Sequence, residues 1–531
     1  MLRNVFSNWA AFVLIGLLSF LLTPFMIHRL GDFEFGIYTL AFSVAGYTDL
    51  LEQGIRSTLQ RFVGRLSGMR DREALNSVFS TALALTLVIC SLTIVLCLGL
   101  SRVLPAFFKL GPAQRDLFAS LVIILGLNIG LGFPAALLGS YLTGLQRFDL
   151  YNLVMIARQG LRALLILVVL LRGEQVVAVA WSVLVSTLVL VPLNWWMIRR
   201  VDPGLKLRRR LIRLRTAREL LGFSFWTLLN NAGQFLRDST DSIVIGRVLG
   251  AALITPFIVA SRLVDYFRPV IRDMVSPLLP RISELDGQGR QEEIRQLFLR
   301  MTRLSALASL SIAALLLLHG RTLLLLWVGP RFISSYPILV LLTVGAVASL
   351  AQFGTAPLLI ALGRHRVYGV WTLGEGLANL VLSVIWARQY GIVGVALGTA
   401  VPLLAVKLTL QPWYVTRVLR MSIAEYVSKA LLRPLMVSAG FFGFCSLLGG
   451  LQAHPGLWRL IWNLAWQGTL LAALSFAIGL EASEREEFRQ KARRFASPSH
   501  WAKAFSNLSA ASLLQVSTPA DRTARRELGG R

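Results

Sequence analysis

Apolar segments of about 18 to 26 residues recur along the whole chain, the length that a hydrocarbon core of about 30 Å demands of a helix. They fall near 8–28, 37–60, 77–100, 117–142, 153–171, 176–197, 223–246, 254–279, 302–319, 336–360, 369–387, 393–415, 433–450 and 458–480. The pattern predicts an all-α polytopic membrane protein with about 14 transmembrane helices. The first segment follows a short basic flank, Met1 to Asn4, as the core of a signal peptide does. It is too long for one, no small-residue cleavage site follows, and another span begins near Ile37, so it reads as the first transmembrane helix.

Two segments carry charge through their middles. In 223–246, Asn230, Asn231, Gln234, Arg237, Asp238 and Asp241 recur at helical spacing, which at about 100° per residue places them within about 120° of one face. In 254–279, Arg262, Asp265, Arg268 and Arg272 do the same. A charged side chain facing lipid costs about 2.5 to 3.5 kcal/mol on insertion scales, so both stripes are expected to face protein or water. Span two adds Asp49, Glu52, Gln53, Arg56 and Gln60, with Glu52 and Arg56 spaced as an i,i+4 pair. Span five adds Arg158 and Arg162, span ten Gln352, span eleven Glu375 and Asn379, and span twelve Lys407. Some of these charges are expected to hold helices in register. Together they read as the lining of a polar cavity.

Composition agrees with that class. The 531 residues are 55% hydrophobic and only 15% charged, with a positive mean hydropathy, which lies outside the soluble globular range. The formal net charge of +27 would suggest nucleic acid in a soluble chain, but here the basic residues concentrate in connections. Connections after even-numbered spans carry the greater share of Lys and Arg, densest at Arg199, Arg200, Lys206, Arg208, Arg209, Arg210, Arg213, Arg215 and Arg218. Both termini are therefore expected on the cytoplasmic side, with this loop against anionic lipid heads.

The chain also resembles itself. Leu30-Gly31, Tyr38 and Ala41 have counterparts roughly 219 residues later at Leu249-Gly250, Phe257 and Ala260. Arg147, Tyr151, Trp196 and Arg200 match Arg364, Tyr368, Trp413 and Arg417 at a nearly equal offset. Six spans per repeat is an even number, so the repeats share one orientation about an axis along the membrane normal. The expected organisation is a first repeat over 1–219, a second over 220–432, two further helices over 433–480 and a cytoplasmic tail over 481–531. The tail opens with a charged surface helix and continues as a Ser/Ala-rich segment expected to be disordered.

No Walker loop, HExxH, GxSxG or metal-binding acidic pair is present, so neither an enzyme active site nor a cofactor nor a metal is expected. Cys90, Cys97 and Cys445 sit in apolar segments without CxxC or Cys/His clustering and read as packing residues. Gly126, Gly130 and Gly132 read as sites of close helix contact.

Pro24-Phe25, Leu30-Gly31, Phe35-Gly36-Ile37-Tyr38, Gly46-Tyr47, Leu51-Glu52-Gln53-Gly54 and Arg61-Phe62-Val63 resemble the opening of the Wzx-type polysaccharide flippases. These belong to the superfamily of multidrug, oligosaccharidyl-lipid and polysaccharide exporters. Asp241, Ile245-Gly246, Leu249-Gly250, Ala260 and Leu326-Trp327-Val328-Gly329 extend the likeness, which covers roughly residues 4 to 480. Glu52 stands where an Asp is usual and Phe257 where Tyr is common.

The resemblance implies a bacterial inner-membrane transporter that moves an undecaprenyl-pyrophosphate-linked oligosaccharide to the periplasmic leaflet by alternating access. A polysaccharide polymerase and glycosyltransferases would be its partners. For such a cargo, Arg56, Arg262, Arg268 and Arg272 are candidates to hold the pyrophosphate by bidentate, non-dissociating charge. Asn230, Asn231 and Gln234 are candidates for sugar hydroxyls. Asp49, Glu52, Asp238, Asp241, Asp265 and Glu375 would orient the arginines or bind a coupling proton or cation, and the prenyl tail would stay in lipid beside spans one and eight. The alternatives are a multidrug or cation exporter, a flippase for the peptidoglycan lipid precursor and, from another class, a polysaccharide polymerase or ligase. The last usually carries a large periplasmic loop that this chain lacks.

Overall fold

A computed structural model describes residues 2–448 and 456–496, with side chains apart from those of residues 2–6, 51, 190, 223–231, 238, 365 and 491–496. The Ser/Ala-rich tail beyond Ala496 lies outside the described residues. An N-terminal bundle comprises α1 (Leu2–Gly46), α2 (Leu50–Met69), α3 (Arg72–Phe107), α4 (Pro112–Gly144), α5 (Phe148–Leu171) and α6 (Val176–Val201). After the basic connection comes α7 (Leu214–Val248), and the single helix predicted over 254–279 proves to be three, α8 (Ile254–Asp265), α9 (Arg268–Val275) and α10 (Leu278–Gly287). The rest of the C-terminal bundle is α11 (Gln291–Val328), α12 (Tyr336–Ala351), α13 (Thr355–Ala361), α14 (His365–Ala405) and α15 (Gln411–Val418). Last come α16 (Ile423–Tyr426), α17 (Arg433–Leu447), α18 (Leu457–Leu474) and the surface helix α19 (Ala482–Ala496).

Ten helices among the described residues are long and apolar enough to cross a membrane. Segment α7 is not among the ten because a polar and charged stripe runs through it, and the run α8 to α10 is not because its helices are only 12, 8 and 10 residues long. Two long helices double back at glycines of positive φ, Gly31 (77°) in α1 and Gly391 (60°) in α14. In α14 the fold-back is fixed by bonds across the hairpin: Asn379 Nδ2 donates to Thr399 Oγ1 at 2.8 Å and Ser383 Oγ to the Val395 carbonyl at 3.4 Å. The breaks in the eighth segment have a local cause. Proline lacks the amide donor and its ring crowds the preceding turn, so Pro269 and Pro277 restart the helix as α9 and α10.

The corners repeat. Gly31, Arg70, Lys109, Gln146 and Gly173 have positive φ, and so do Gly250, Gly289, Gly329, Gly363 and Gly391, each about 218 residues after its counterpart. Every left-handed corner of the N-terminal bundle thus recurs in the C-terminal one. Residues with side chains occupy three of the first five, whereas glycine, which carries no Cβ penalty there, occupies all of the second five.

Small residues bring helices together, as packing in lipid favours. A Cβ on Gly126 would lie 2.5 Å from Cys97 Cβ, and one on Gly130 3.3 Å from the Cys90 carbonyl oxygen, so α3 and α4 touch along these positions. The three cysteines are buried and free. The largest apolar core joins α1, α4 and α6 to α7, α8, α11 and α12. The two bundles are bound at the Gly31 end. Thr255 Oγ1 donates to the Asp32 carbonyl at 2.6 Å, Arg331 Nη2 lies 3.0 Å from Asp32 Oδ1, and Trp327 Nε1 donates to the Phe20 carbonyl at 2.8 Å while its ring stacks on Phe20.

Candidate substrate cavity

Four cavities lie within and between the two bundles and share walls. The first, 490 Å³, is enclosed by α2, α4, α5 and α6. The second, 450 Å³, sits between the bundles and shares Arg158 and Thr187 with the first. A third of 320 Å³ meets the second at Ser242, Ser261 and Asp265, and a fourth of 280 Å³ meets the third at Arg237, Arg268 and Arg272.

Of the residues expected at the site, Arg56, Asp49, Arg262, Asp265, Asp241, Arg268, Arg272 and Gln234 line these cavities. Glu52 and Glu375 are enclosed behind the walls. Asn230, Asn231 and Asp238 lie on α7, but their side chains fall outside the described residues.

Most of the acidic residues are engaged. Glu52 Oε2 stands 3.1 Å from Arg56 Nε, the i,i+4 pair expected, and Arg56 Nη2 lies 3.8 Å from Asp49 Oδ1. Glu375, on the first arm of α14, is held by Arg237 of α7 at 3.2 Å and by Lys407, just past the end of α14, at 2.8 Å. Two cations against one carboxylate at a buried position leave this wall positive. Asp265 pairs with Arg268 at 3.2 Å, and Arg272 with Asp273 at 3.6 Å. Asp241 accepts from Thr399 Oγ1 at 3.0 and 3.1 Å and from Asn379 Nδ2 at 3.5 Å, which gathers one carboxylate and two neutral oxygen-bearing side chains in a buried pocket.

Three arginines of the central cavity are not engaged in this way. Arg158, Arg162 and Arg262 line it without a carboxylate partner among the described residues; Arg162 Nη2 reaches only the Tyr38 hydroxyl, at 3.4 Å. Sequence reasoning noticed Arg158 and Arg162 but gave them no role. Their signal was present: two arginines at i,i+4 in an apolar helix whose one acidic residue, Asp149, sits in its first turn and pairs with Arg147. Arg237 and Lys407 were likewise seen without a role, because their common partner lies far away in the chain.

An all-helical membrane protein with two bundles around a cationic cavity has the fold class of the multidrug, oligosaccharidyl-lipid and polysaccharide exporters. The chain belongs to a family described as polysaccharide biosynthesis protein, whose model matches residues 29–337. It is 24% identical to "Uncharacterized membrane protein EpsK" of Bacillus subtilis, over 78% of this chain and 83% of that one. It is 19% identical to "Putative O-antigen transporter" of Shigella flexneri, over 78% of this chain and 98% of that one. Its fold matches a solved structure titled "Lipid II flippase MurJ, inward closed conformation" with a TM-score of 0.72 at 14% identity, covering 90% of this chain and 98% of the other.

Proposed function

We propose that this protein carries an undecaprenyl-pyrophosphate-linked oligosaccharide from the cytoplasmic to the periplasmic leaflet by alternating access, for synthesis of a cell-surface polysaccharide. The observation that carries the reading is the set of Arg158, Arg162 and Arg262, which line one central cavity with no ion-pair partner among the described residues, while the two carboxylates of the same lining, Asp49 and Asp265, are paired with Arg56 and Arg268. Cations kept at membrane depth are costly unless they face water or a ligand. A pyrophosphate dianion matches them, since each guanidinium offers two parallel donors and stays charged. Arg56, Arg268 and Arg272 flank the site, each with a carboxylate of its own that orients it.

The remaining assignments follow from the same reading. The hairpins at Gly31 and Gly391 count as two crossings each, and α7 and α8 to α10 as one each, which gives about 14. The two repeats divide near residue 219, α17 and α18 are additions, and both termini face the cytoplasm with the basic loop. Binding of the bundles at the Gly31 end then closes the periplasmic side. Asp241 is the candidate for a coupling proton or cation, because it is a buried carboxylate on the cavity wall that accepts from Thr399 and Asn379.

The test is complementation in a strain lacking the gene. Arg158→Gln with Arg262→Gln is expected to reduce surface polysaccharide more than about tenfold at wild-type protein levels, the loss anticipated when charge-assisted contacts worth about 1.5–3 kcal/mol each are removed. Undiminished polysaccharide from the double variant would overturn the proposal.

A further inference from the structure

The 490 Å³ cavity within the N-terminal bundle differs in chemistry from those on the other side. The fourth cavity presents Arg237, Arg268, Arg272 and Lys407. The first is lined by Arg56 and Arg158, but its other polar groups are neutral amides and hydroxyls, among them Ser57, Gln60, Thr187 and Asn194, beside the ring of Tyr151. An arginine can only donate, whereas an amide or hydroxyl both donates and accepts, which is what sugar hydroxyls require. A tyrosine ring supplies the apolar face on which the C–H side of a pyranose packs. Neither the Gln60 amide nor the Tyr151 hydroxyl bonds to another described residue, so both are available to a ligand. The Tyr151 ring lies against the backbone of α4, where a Cβ on Gly139 would come within 2.8 Å of it. The volume falls in the range of about 300–1,000 Å³ usual for small-ligand sites.

We infer that this cavity is the glycan subsite, receiving the sugars nearest the pyrophosphate. The inference rests on the flippase reading above. Arg158 fixes the geometry, because it lines both this cavity and the central one. A phosphate held by Arg158 from the central side places the sugar bonded to it at the mouth of the N-terminal cavity, with Gln60, Tyr151 and Asn194 beyond. Specificity for the glycan then belongs to α2, α4, α5 and α6, and headgroup affinity to the arginines.

The experiment measures binding of two lipids to the purified protein in detergent: bare undecaprenyl pyrophosphate, and lipid-linked oligosaccharide extracted from the membranes of the native host. Variants melting within a few degrees of wild type are compared. Gln60→Leu and Tyr151→Ala are expected to raise the Kd for the oligosaccharide lipid at least tenfold and that for the bare lipid less than twofold. Gly139→Ala, which displaces the Tyr151 ring without removing a polar group, is expected to act in the same direction. Arg158→Gln is expected to weaken both lipids. If Gln60→Leu and Tyr151→Ala leave both affinities unchanged, or weaken both equally, the glycan subsite is refuted while the flippase reading stands. If wild type binds neither lipid better than a neutral polyprenol, the flippase reading falls and the subsite with it.

Discussion

Arg303 and Glu484 meet as a two-point pair at the foot of α11, Nη2 to Oε1 at 2.6 Å and Nε to Oε2 at 3.1 Å, with both side chains enclosed. Arg303 Nη1 also donates to the Glu481 carboxylate and to the Lys429 carbonyl, each at 2.6 Å. One guanidinium therefore binds α19, the segment preceding it and the turn before α17. Removing one partner of a buried pair costs about 3–5 kcal/mol when the other charge stays behind uncompensated; Glu481 still faces Arg303 here, so the loss at Glu484 falls below that range. Glu484→Ala is expected to lower the melting temperature in detergent and to expose α19 to limited proteolysis. Arg303→Met with Glu484→Leu is expected to recover most of the loss.

The hairpin of α14 depends on bare backbone. A Cβ on Gly394 would fall 2.0 Å from the Trp386 carbonyl oxygen, a clash with main chain that no side-chain movement relieves. Gly394→Ala is expected to exceed the about 1–3 kcal/mol usual for overpacking and to abolish monodisperse protein on size exclusion. At Gly31 a Cβ would meet nothing, so Gly31→Ala carries only the backbone strain of its positive φ, about 1–3 kcal/mol, and is expected to fold.

The Asp32 to Arg331 pair is partly exposed and worth about 0.2–1 kcal/mol. That is enough to bias an equilibrium between closed and open states. Asp32→Asn is expected to increase labelling of a cysteine placed by Thr255→Cys with a membrane-impermeant maleimide, by up to about fivefold. Equal labelling rates would show that this bridge does not contribute to closure.

Glu375 restrains two cations from different helices. Glu375→Gln removes the carboxylate that Arg237 and Lys407 share and is expected to cut polysaccharide export more than about tenfold, by loss of buried charge pairs. Adding Lys407→Gln is expected to restore part of it, giving a coupling of about 0.5–3 kcal/mol in a double-mutant cycle.

The crossings were legible because lipid imposes a length and a polarity on each, and the i,i+4 pair of Glu52 and Arg56 because both partners share a helix. Two things were not. The interruption of the eighth segment was written in Pro269 and Pro277, but the apolar run there masks the prolines when hydropathy alone is averaged. The division of the arginines into paired and unpaired was hidden because it depends on contacts between helices distant in sequence, such as Arg237 with Glu375. Charge placement along a helix shows which residues must avoid lipid, but not which partner each one finds.

The touching corners of the two repeats have a mechanical consequence. Gly31 and Gly250 are counterparts, and beside them Gly36 sits so close to the Ala251 carbonyl that a Cβ there would approach to 2.1 Å, while Thr255 is bonded to Asp32. At that crossing like meets like, main chain against main chain with no side chain between, so a single methyl group at Gly36 would wedge the two repeats apart there while touching none of the four cavities.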